Sequence, residues 1–138
     1  MYRFMTLCLV LVMTMGAIGC GRGDGKMRTR GRVVKGGEDF IPEEGEFLAI
    51  TFVPIVEPGQ FAMDYHFAEV DQDAGTFTAA GKDLKGIPEG KYRVAVELMK
   101  KKKDQFGGKY DAEKSPFVFD IDSDTDEIVI DLDKPPPA

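Results

Sequence analysis

The stretch KYRVAVELM, residues 91–99, alternates apolar and polar side chains with a period of two. Successive side chains of a β-strand point to opposite faces, so this period indicates a strand with one buried face. The turn signal Pro-Glu-Gly at residues 88–90 comes directly before it. The stretch therefore predicts a strand that buries one set of side chains: Tyr92, Val94, Val96 and Leu98.

The same period recurs on both sides of this strand. Residues 47–55 (FLAITFVPI) are apolar on both faces, which predicts a central strand that ends at Pro54. Residues 60–70 also alternate, and we expect their aromatic and apolar set to face the core. That set, with two further sets from residues 117–121 and 128–132, consists of Phe61, Met63, Tyr65, Phe67, Phe117, Phe119, Ile121, Ile128, Ile130 and Leu132.

Turn signals separate these strands. Residues 71–75 end in Gly75, which supplies the positive φ of a hairpin turn. No window of eleven residues shows the apolar stripe of a helix. About seven strands at regular spacing predict an all-β fold, namely an antiparallel β-sandwich of the immunoglobulin-like kind.

The first twenty residues have the layout of a bacterial export signal. Arg3 precedes an apolar run at residues 4–15, and small residues lead to Cys20. The run is shorter than the roughly 20 apolar residues that cross a bilayer. The segment resembles a bacterial lipoprotein signal, which implies cleavage before Cys20, diacylglycerol on the Cys20 sulfur and attachment to a membrane of the cell envelope. The alternative is an ordinary cleaved signal with a chance cysteine.

The sequence predicts four segments, the first of which is removed by cleavage. We expect a signal peptide at 1–19, a flexible lipidated tether at 20–27, a β-sandwich domain at 28–134 and a C-terminal tail at 135–138. The 119 residues after the signal suit one domain. Cys8 leaves with the signal and Cys20 is acylated, so no thiol remains for a disulfide, a thiolate metal site or a nucleophile.

The charge is acidic overall and basic near the predicted anchor. The formal net charge is −6, so a nucleic-acid partner is not expected. Residues 21–37 hold six basic residues against Asp24 alone. This stem either rests on anionic headgroups or is a solvated tether. Arg28, Arg30 and Arg32 share one strand face by period, as the charged outer face of an edge strand does.

An acidic segment is the candidate metal site. Asp120, Asp122, Asp124 and Asp126 have the spacing of the odd-numbered ligands of a calcium loop. Thr125 stands where an EF-hand loop needs glycine, so a calcium turn between two strands is the form to consider. The alternatives are a solvated acidic turn and a charge contact with the basic segment of the chain.

That basic segment is the candidate anion site. Lys100, Lys101, Lys102 and Lys103 begin a hairpin over residues 100–109 that also contains Phe106 and two glycines. Such a run suits an anionic polymer, a glycan or a lipid headgroup. The alternative is a solvated hairpin tip.

Catalysis is not expected. The single histidine, His66, has no evident partners for a metal or a proton relay. Ser115 and Ser123 are the only serines, and neither stands in a nucleophile motif. No cofactor is expected apart from the diacylglycerol on Cys20, with calcium as the open alternative.

Four segments together resemble a family. The segments GRVV (31–34), AITFVP (49–54), GTF (75–77) and GIPEGKYRVAV (86–96) are similar to those of small bacterial lipoproteins with a carboxypeptidase-regulatory-like, transthyretin-like sandwich. The resemblance covers residues 28–133, and its strongest element is the Pro-x-Gly-Lys-Tyr turn. It implies a non-catalytic binding or structural module of the envelope, whose partner is an envelope protein or a glycan. For a protein partner, the sequence offers Phe40, Phe106 and Tyr110 as an exposed aromatic patch.

Overall fold

The computed structural model describes residues 24–60 and 64–135, and every regular element in this part is a β-strand. The expectation of an all-β fold is confirmed. Several of the expected strands are divided into shorter segments. In chain order the strands are β1 (Lys26–Met27), β2 (Arg30–Lys35), β3 (Glu38–Asp39), β4 (Glu46–Pro54), β5 (His66–Phe67), β6 (Glu69–Asp71), β7 (Thr76–Thr78), β8 (Ile87–Pro88), β9 (Gly90–Lys100), β10 (Lys103–Asp104), β11 (Val118–Ile121) and β12 (Glu127–Asp131).

Two sheets form the layers of the sandwich. The first, the β9 sheet, has the order β10-β9-β4-β5, with β11 also paired to β9. The second, the β2 sheet, has the order β12-β2-β7-β6, with β3 also paired to β2. A short ribbon of β1 and β8 stands beside them. All pairs are antiparallel except β2 with β12, which run parallel. None of the described residues belongs to a helix that is long and apolar enough to cross a membrane.

The core lies between the inner faces of the two sheets. β9 contributes the predicted set Tyr92, Val94, Val96 and Leu98, all buried as expected. Fully burying one such side chain contributes on the order of 1.5–3 kcal/mol. The residues that complete the core are Leu48, Ile50 and Phe52 from β4, Val33, Phe77, Ile128 and Ile130 from the β2 sheet, and Ala79, Ile87, Tyr110, Phe117, Ile121 and Leu132.

A glycine makes room for an aromatic ring in this core. The Phe52 and Phe77 rings meet between the sheets with centroids 6.1 Å apart. Phe77 pairs with Gly31, and a Cβ at Gly31 would collide with the Phe77 ring and lie 2.6 Å from the Ile128 carbonyl oxygen. The absence of a side chain at Gly31 thus leaves room for the Phe77 ring beside β2.

The basic face of β2 does not belong to an edge strand. Thr29, Gly31 and Val33 are buried, so Arg28, Arg30 and Arg32 share the outer face, as the period predicts. The edge placement is wrong, because β2 lies between β12 and β7. The Arg32 guanidinium contacts acidic neighbours on this outer face, including Asp39 at 3.3 Å.

The strand predicted over residues 60–70 is also different. Tyr65 and Phe67 are 49% and 59% exposed, so their expected burial is wrong. Phe61 and Met63 lie outside the described residues. β5 pairs with β4 for two residues only, and Phe67 lies opposite Thr51. Thr51 alternates with the buried residues of β4 and faces outward, so Phe67 faces outward too.

The chain then changes sheets. The Ala68 N–H donates to the Ile50 carbonyl at 3.0 Å, and the next residues form β6 in the other sheet. One continuous segment therefore closes this side of the sandwich.

A glutamine side chain completes the same closure. The Gln72 amide nitrogen donates to the Leu48 carbonyl, and the Leu48 N–H donates to the Gln72 amide oxygen, both at 2.8 Å. The amide group thus takes the place of a strand residue on the free edge of β4. It links the β6–β7 turn of one sheet to the edge of the other, and it leaves no peptide group of Leu48 open to edge pairing.

We expect Gln72→Ala to lower the free energy of unfolding by about 1–3 kcal/mol, because two part-buried backbone groups lose their partners. Chemical denaturation measures the change. Asp73→Ala, in the same turn, is the control and should stay within about 0.5 kcal/mol of the parent. Equal effects of the two substitutions would show that the amide bridge does not stabilise the fold.

Candidate functional site

β9 determines where the two charged candidate sites lie. It is eleven residues long and so spans roughly 33–37 Å. The acidic segment follows β11, whose last residue Ile121 lies opposite Gly90 at the start of β9. The basic hairpin, residues 100–109, begins where β9 ends. The two segments are at opposite ends of the sandwich, so the alternative of a charge contact between them does not hold.

We name the two ends by their chain segments. The stem end carries residues 24–30, 54–56, 64–66, 81–90 and 122–127. The chain enters the described structure there, since β1 pairs with β8 just before β9 begins. The hairpin end carries the β2–β3 turn, residues 40–46 and the basic hairpin.

The basic hairpin turns through two lysines in an unfavourable backbone conformation. Lys101 and Lys102 have φ of 50° and 66°, and the flanking residues Lys100 and Lys103 are paired. A two-residue turn with positive φ at both positions normally contains Asn-Gly, since other residues pay a steric cost there. The two lysines therefore occupy positions where backbone preference alone favours asparagine and glycine.

Of the four lysines of the predicted anion site, one is paired with carboxylates and three are not. The Lys100 ammonium lies 3.2 Å from the Glu46 carboxylate. A hydrogen bond from the Glu43 backbone N–H, together with Lys100, lowers the pKa of Glu46 below its usual value. Lys101, Lys102 and Lys103 are exposed, and none forms an ion pair with another described residue. Three ammonium groups therefore remain open to an anionic ligand.

Asp104 holds the rest of the hairpin rigid. One carboxylate oxygen accepts hydrogen bonds from the Leu98 and Phe106 N–H groups, both at 3.0 Å. The other oxygen accepts one from the Gly108 N–H at 2.8 Å. The lysine tip is thus presented on an ordered base.

The expected exposed aromatic patch is wrong for Tyr110. Tyr110 is buried, and its hydroxyl donates to the Leu132 carbonyl at 2.9 Å. Phe40 and Phe106 are partly buried against the core, with ring centroids 6.1 Å apart. Beside them lies a concavity of about 350 Å³, with Lys35 and the exposed Ile41 on its rim.

The acidic segment forms a turn that is closed by hydrogen bonds among its own residues. One Asp122 oxygen accepts hydrogen bonds from the Asp124 N–H at 3.0 Å and the Thr125 hydroxyl at 2.9 Å. The Asp122 N–H donates to the Thr125 hydroxyl oxygen at 3.1 Å. Thr125, which departs from the EF-hand pattern, is thus the residue that closes the turn.

The four aspartates are not assembled as a metal centre. In residues 24–60 and 64–135, no group of three or more His, Cys, Asp or Glu side chains is placed to hold a metal ion. Asp120, Asp122, Asp124 and Asp126 accordingly stand as separate groups along the end of β11 and the turn after it. The predicted lipidation site, Cys20, lies outside the described residues.

His66 lies at the stem end. Its ring stands edge-on to Tyr92 with centroids 6.0 Å apart, beside a concavity of about 300 Å³ that Asp64, Lys82 and Asp83 also line. Partial burial lowers the pKa of His66 below its usual value, against the opposing influence of Asp64.

Ser115 has a structural role in the sheet. It is buried, and its hydroxyl donates to the Val94 carbonyl at 2.5 Å. A larger concavity of about 630 Å³ lies on the β2 sheet, and its lining includes Arg30, Glu69, Thr76 and Thr78.

Comparisons with protein-family models, with curated proteins and with solved structures gave no match to this chain.

We expect the double substitution Lys101→Asn and Lys102→Gly to raise the free energy of unfolding by about 1 kcal/mol, because it installs the residues that this turn geometry favours. Denaturant titration gives the change. Lys103→Gln, outside the positive-φ positions, should leave stability nearly unchanged. A double variant less stable than the parent would mean that the turn has another geometry in solution.

A second prediction concerns acid stability. The pKa of His66 is lower in the folded chain than in the unfolded chain, so stability is fully present above about pH 6.5 and is lost as pH falls through the folded pKa. We expect His66→Gln to lose less unfolding free energy than the parent between pH 7 and pH 5. Denaturation at both pH values measures this difference, and parallel losses would contradict it.

Proposed function

We propose that this protein is a lipid-anchored module of the bacterial cell envelope that acts by binding or structural support and not by catalysis. The observation that carries the proposal is the separation of the two ends. The chain enters at the stem end, and the open lysines lie a full β9 length away. An anchor on Cys20 then holds the stem end near the membrane and presents the hairpin end to the surroundings.

The non-catalytic part of the proposal is supported by the structural roles of Ser115 and His66. The Ser115 hydroxyl is committed to a backbone carbonyl inside the sheet. His66 packs against the Tyr92 ring, and the Tyr92 hydroxyl donates to the Pro88 carbonyl at 2.7 Å. These groups stabilise the fold.

The three exposed lysines indicate the chemical class of the ligand. Lys101, Lys102 and Lys103 face solvent on a rigid base and at the end remote from the chain entry. Their ligand is therefore an anionic polymer or glycan of the envelope, and not the headgroups of the membrane that holds the anchor. The calcium alternative has weaker support, because the Asp122 carboxylate already accepts two hydrogen bonds within its turn.

The anchor is tested with Cys20→Ser. We expect the parent protein in the membrane pellet, with an acylated N-terminal cysteine by mass spectrometry, and the variant in the soluble fraction. The physical reason is that two or more acyl chains bind a bilayer stably, whereas the cysteine side chain alone does not. A parent protein that is soluble after cleavage would refute the anchor.

The ligand is tested with detergent-solubilised mature protein carrying a C-terminal tag, crosslinked in envelope extract. We expect capture of an anionic polymer or glycan that falls at least tenfold in 0.5 M salt and in the triple Lys101, Lys102 and Lys103→Gln variant. The same three positions changed to arginine keep the charge and should retain capture. Capture that is unaffected by loss of the three charges would refute the hairpin as the binding element.

A further inference from the structure

The stem end exposes large apolar side chains beside the point of chain entry. Ile55, Val56, Tyr65 and Leu84 are 41%, 37%, 49% and 54% exposed. The Ile55 N–H donates to the Lys91 carbonyl at 2.8 Å, which fixes the end of β4 beside the start of β9. The segments that carry these side chains are neighbours around Tyr92, whose ring lies edge-on to His66 and whose hydroxyl donates to the Pro88 carbonyl. Exposed apolar residues on neighbouring segments at one end of a monomer indicate an interaction surface.

Leu84 is the most exposed of the four, and contacts with Lys26 and Arg28 fix the turn that carries it. It occupies the turn at residues 81–86 with φ of 60°, a conformation that a leucine rarely adopts. The Arg28 guanidinium donates to the Leu84 carbonyl at 2.9 Å. Lys26 forms an ion pair with Asp83, so strand β1, where the chain enters, is tied directly to this turn.

Charged side chains of both signs surround this turn. Lys82 and Lys85 flank Leu84 and are exposed. The Lys82 ammonium lies 3.4 Å from the Asp64 carboxylate, whereas Lys85 forms no ion pair with another described residue. The acidic turn at residues 122–126 also lies at the stem end, but it connects β11 to β12. These two strands lie at the opposite edges of the sheets from β5 and β6. The acidic turn is thus separated from the Leu84 turn by the width of the sheets, and Lys85, unpaired within the described part of the chain, presents its ammonium group beside Leu84.

The distance to the predicted anchor is short. Cys20 precedes Asp24, the first described residue, by four positions. A fully extended chain covers at most about 3.6 Å per residue, so the two residues lie within roughly 14 Å of each other. An acylated Cys20 therefore holds the stem end within reach of the headgroup layer.

We infer that the Leu84 turn, with Ile55, Val56 and Tyr65, is a membrane-docking surface that rests on the bilayer holding the anchor. Leu84 enters the interface, and the Lys85 ammonium group meets an anionic headgroup. This inference rests on the proposed lipid anchor and adds an orientation to it. The hairpin end then points away from the bilayer.

Depth of insertion tests the orientation. The acylated protein is placed in phosphatidylethanolamine–phosphatidylglycerol vesicles with a polarity-sensitive fluorophore at Leu84→Cys or, as the matched control, at the equally exposed Ile41→Cys of the hairpin end. We expect a blue shift and quenching by lipid-borne quencher at position 84 only. Equal quenching of both positions by aqueous iodide would overturn the inference.

A second measurement separates this surface from the anchor. The mature chain with Cys20→Ser is floated with the same vesicles, with and without Leu84→Asp. Aspartate tolerates the positive φ, and thermal unfolding verifies that the variant folds. We expect Leu84→Asp to weaken vesicle binding about tenfold, the factor that burial of one leucine side chain supplies, and Ile41→Asp to leave it unchanged. Equal binding of all three chains would refute the docking surface without bearing on the anchor. Failure of acylation in the fractionation experiment would refute the anchor without bearing on vesicle binding by the Leu84 turn.

Discussion

The pairing of β4 with β9 is the interaction on which the rest of the structure depends. Nine consecutive residue pairs, from Glu46 with Lys100 to Pro54 with Tyr92, fix the two strands in one register. That register places Leu48, Ile50 and Phe52 on the same inner face as the alternating set of β9. A slip by one residue would turn every one of these side chains to solvent, so burial of the core enforces the register. β10 and β11 then pair with β9 near its two ends.

The sides of the sandwich are closed by different devices. On one side, Ala68 carries the chain from β5 to β6, and the Gln72 amide bonds to Leu48 in place of a further strand. On the other side, the turn closed by Asp122 and Thr125 leads from β11 to β12, which joins β2 in parallel. Both closures use polar side chains to satisfy backbone groups or to shape a turn. The fold accomplishes this in its described part with no cysteine in any strand.

Because β9 is long and the domain is small, the two ends of the sandwich are distinct chemical surfaces. The hairpin end offers three lysines on a base stiffened by Asp104. The stem end offers exposed apolar side chains around Leu84, next to the entry of the chain. A protein held at one end by an anchor needs this polarity, since one surface must suit the lipid boundary and the other the partner. The proposed anchor, membrane-docking surface and polyanion-binding tip are consistent with one orientation of the domain.

The sequence by itself determined the fold class and the buried face of its strongest strand. The period of residues 91–99 and the Gly75 turn are local properties, and both predictions are confirmed. Only the tertiary structure decided which face of a weaker strand is buried, as the exposure of Tyr65 and Phe67 shows. It also placed Arg30 and Arg32 inside a sheet rather than at its edge, and it separated the acidic from the basic segment by the length of β9. The physical reason is that alternation defines two faces along a strand, and the pairing partner decides which of them meets the core. The partner can lie far away in sequence, as Thr51 does for Phe67.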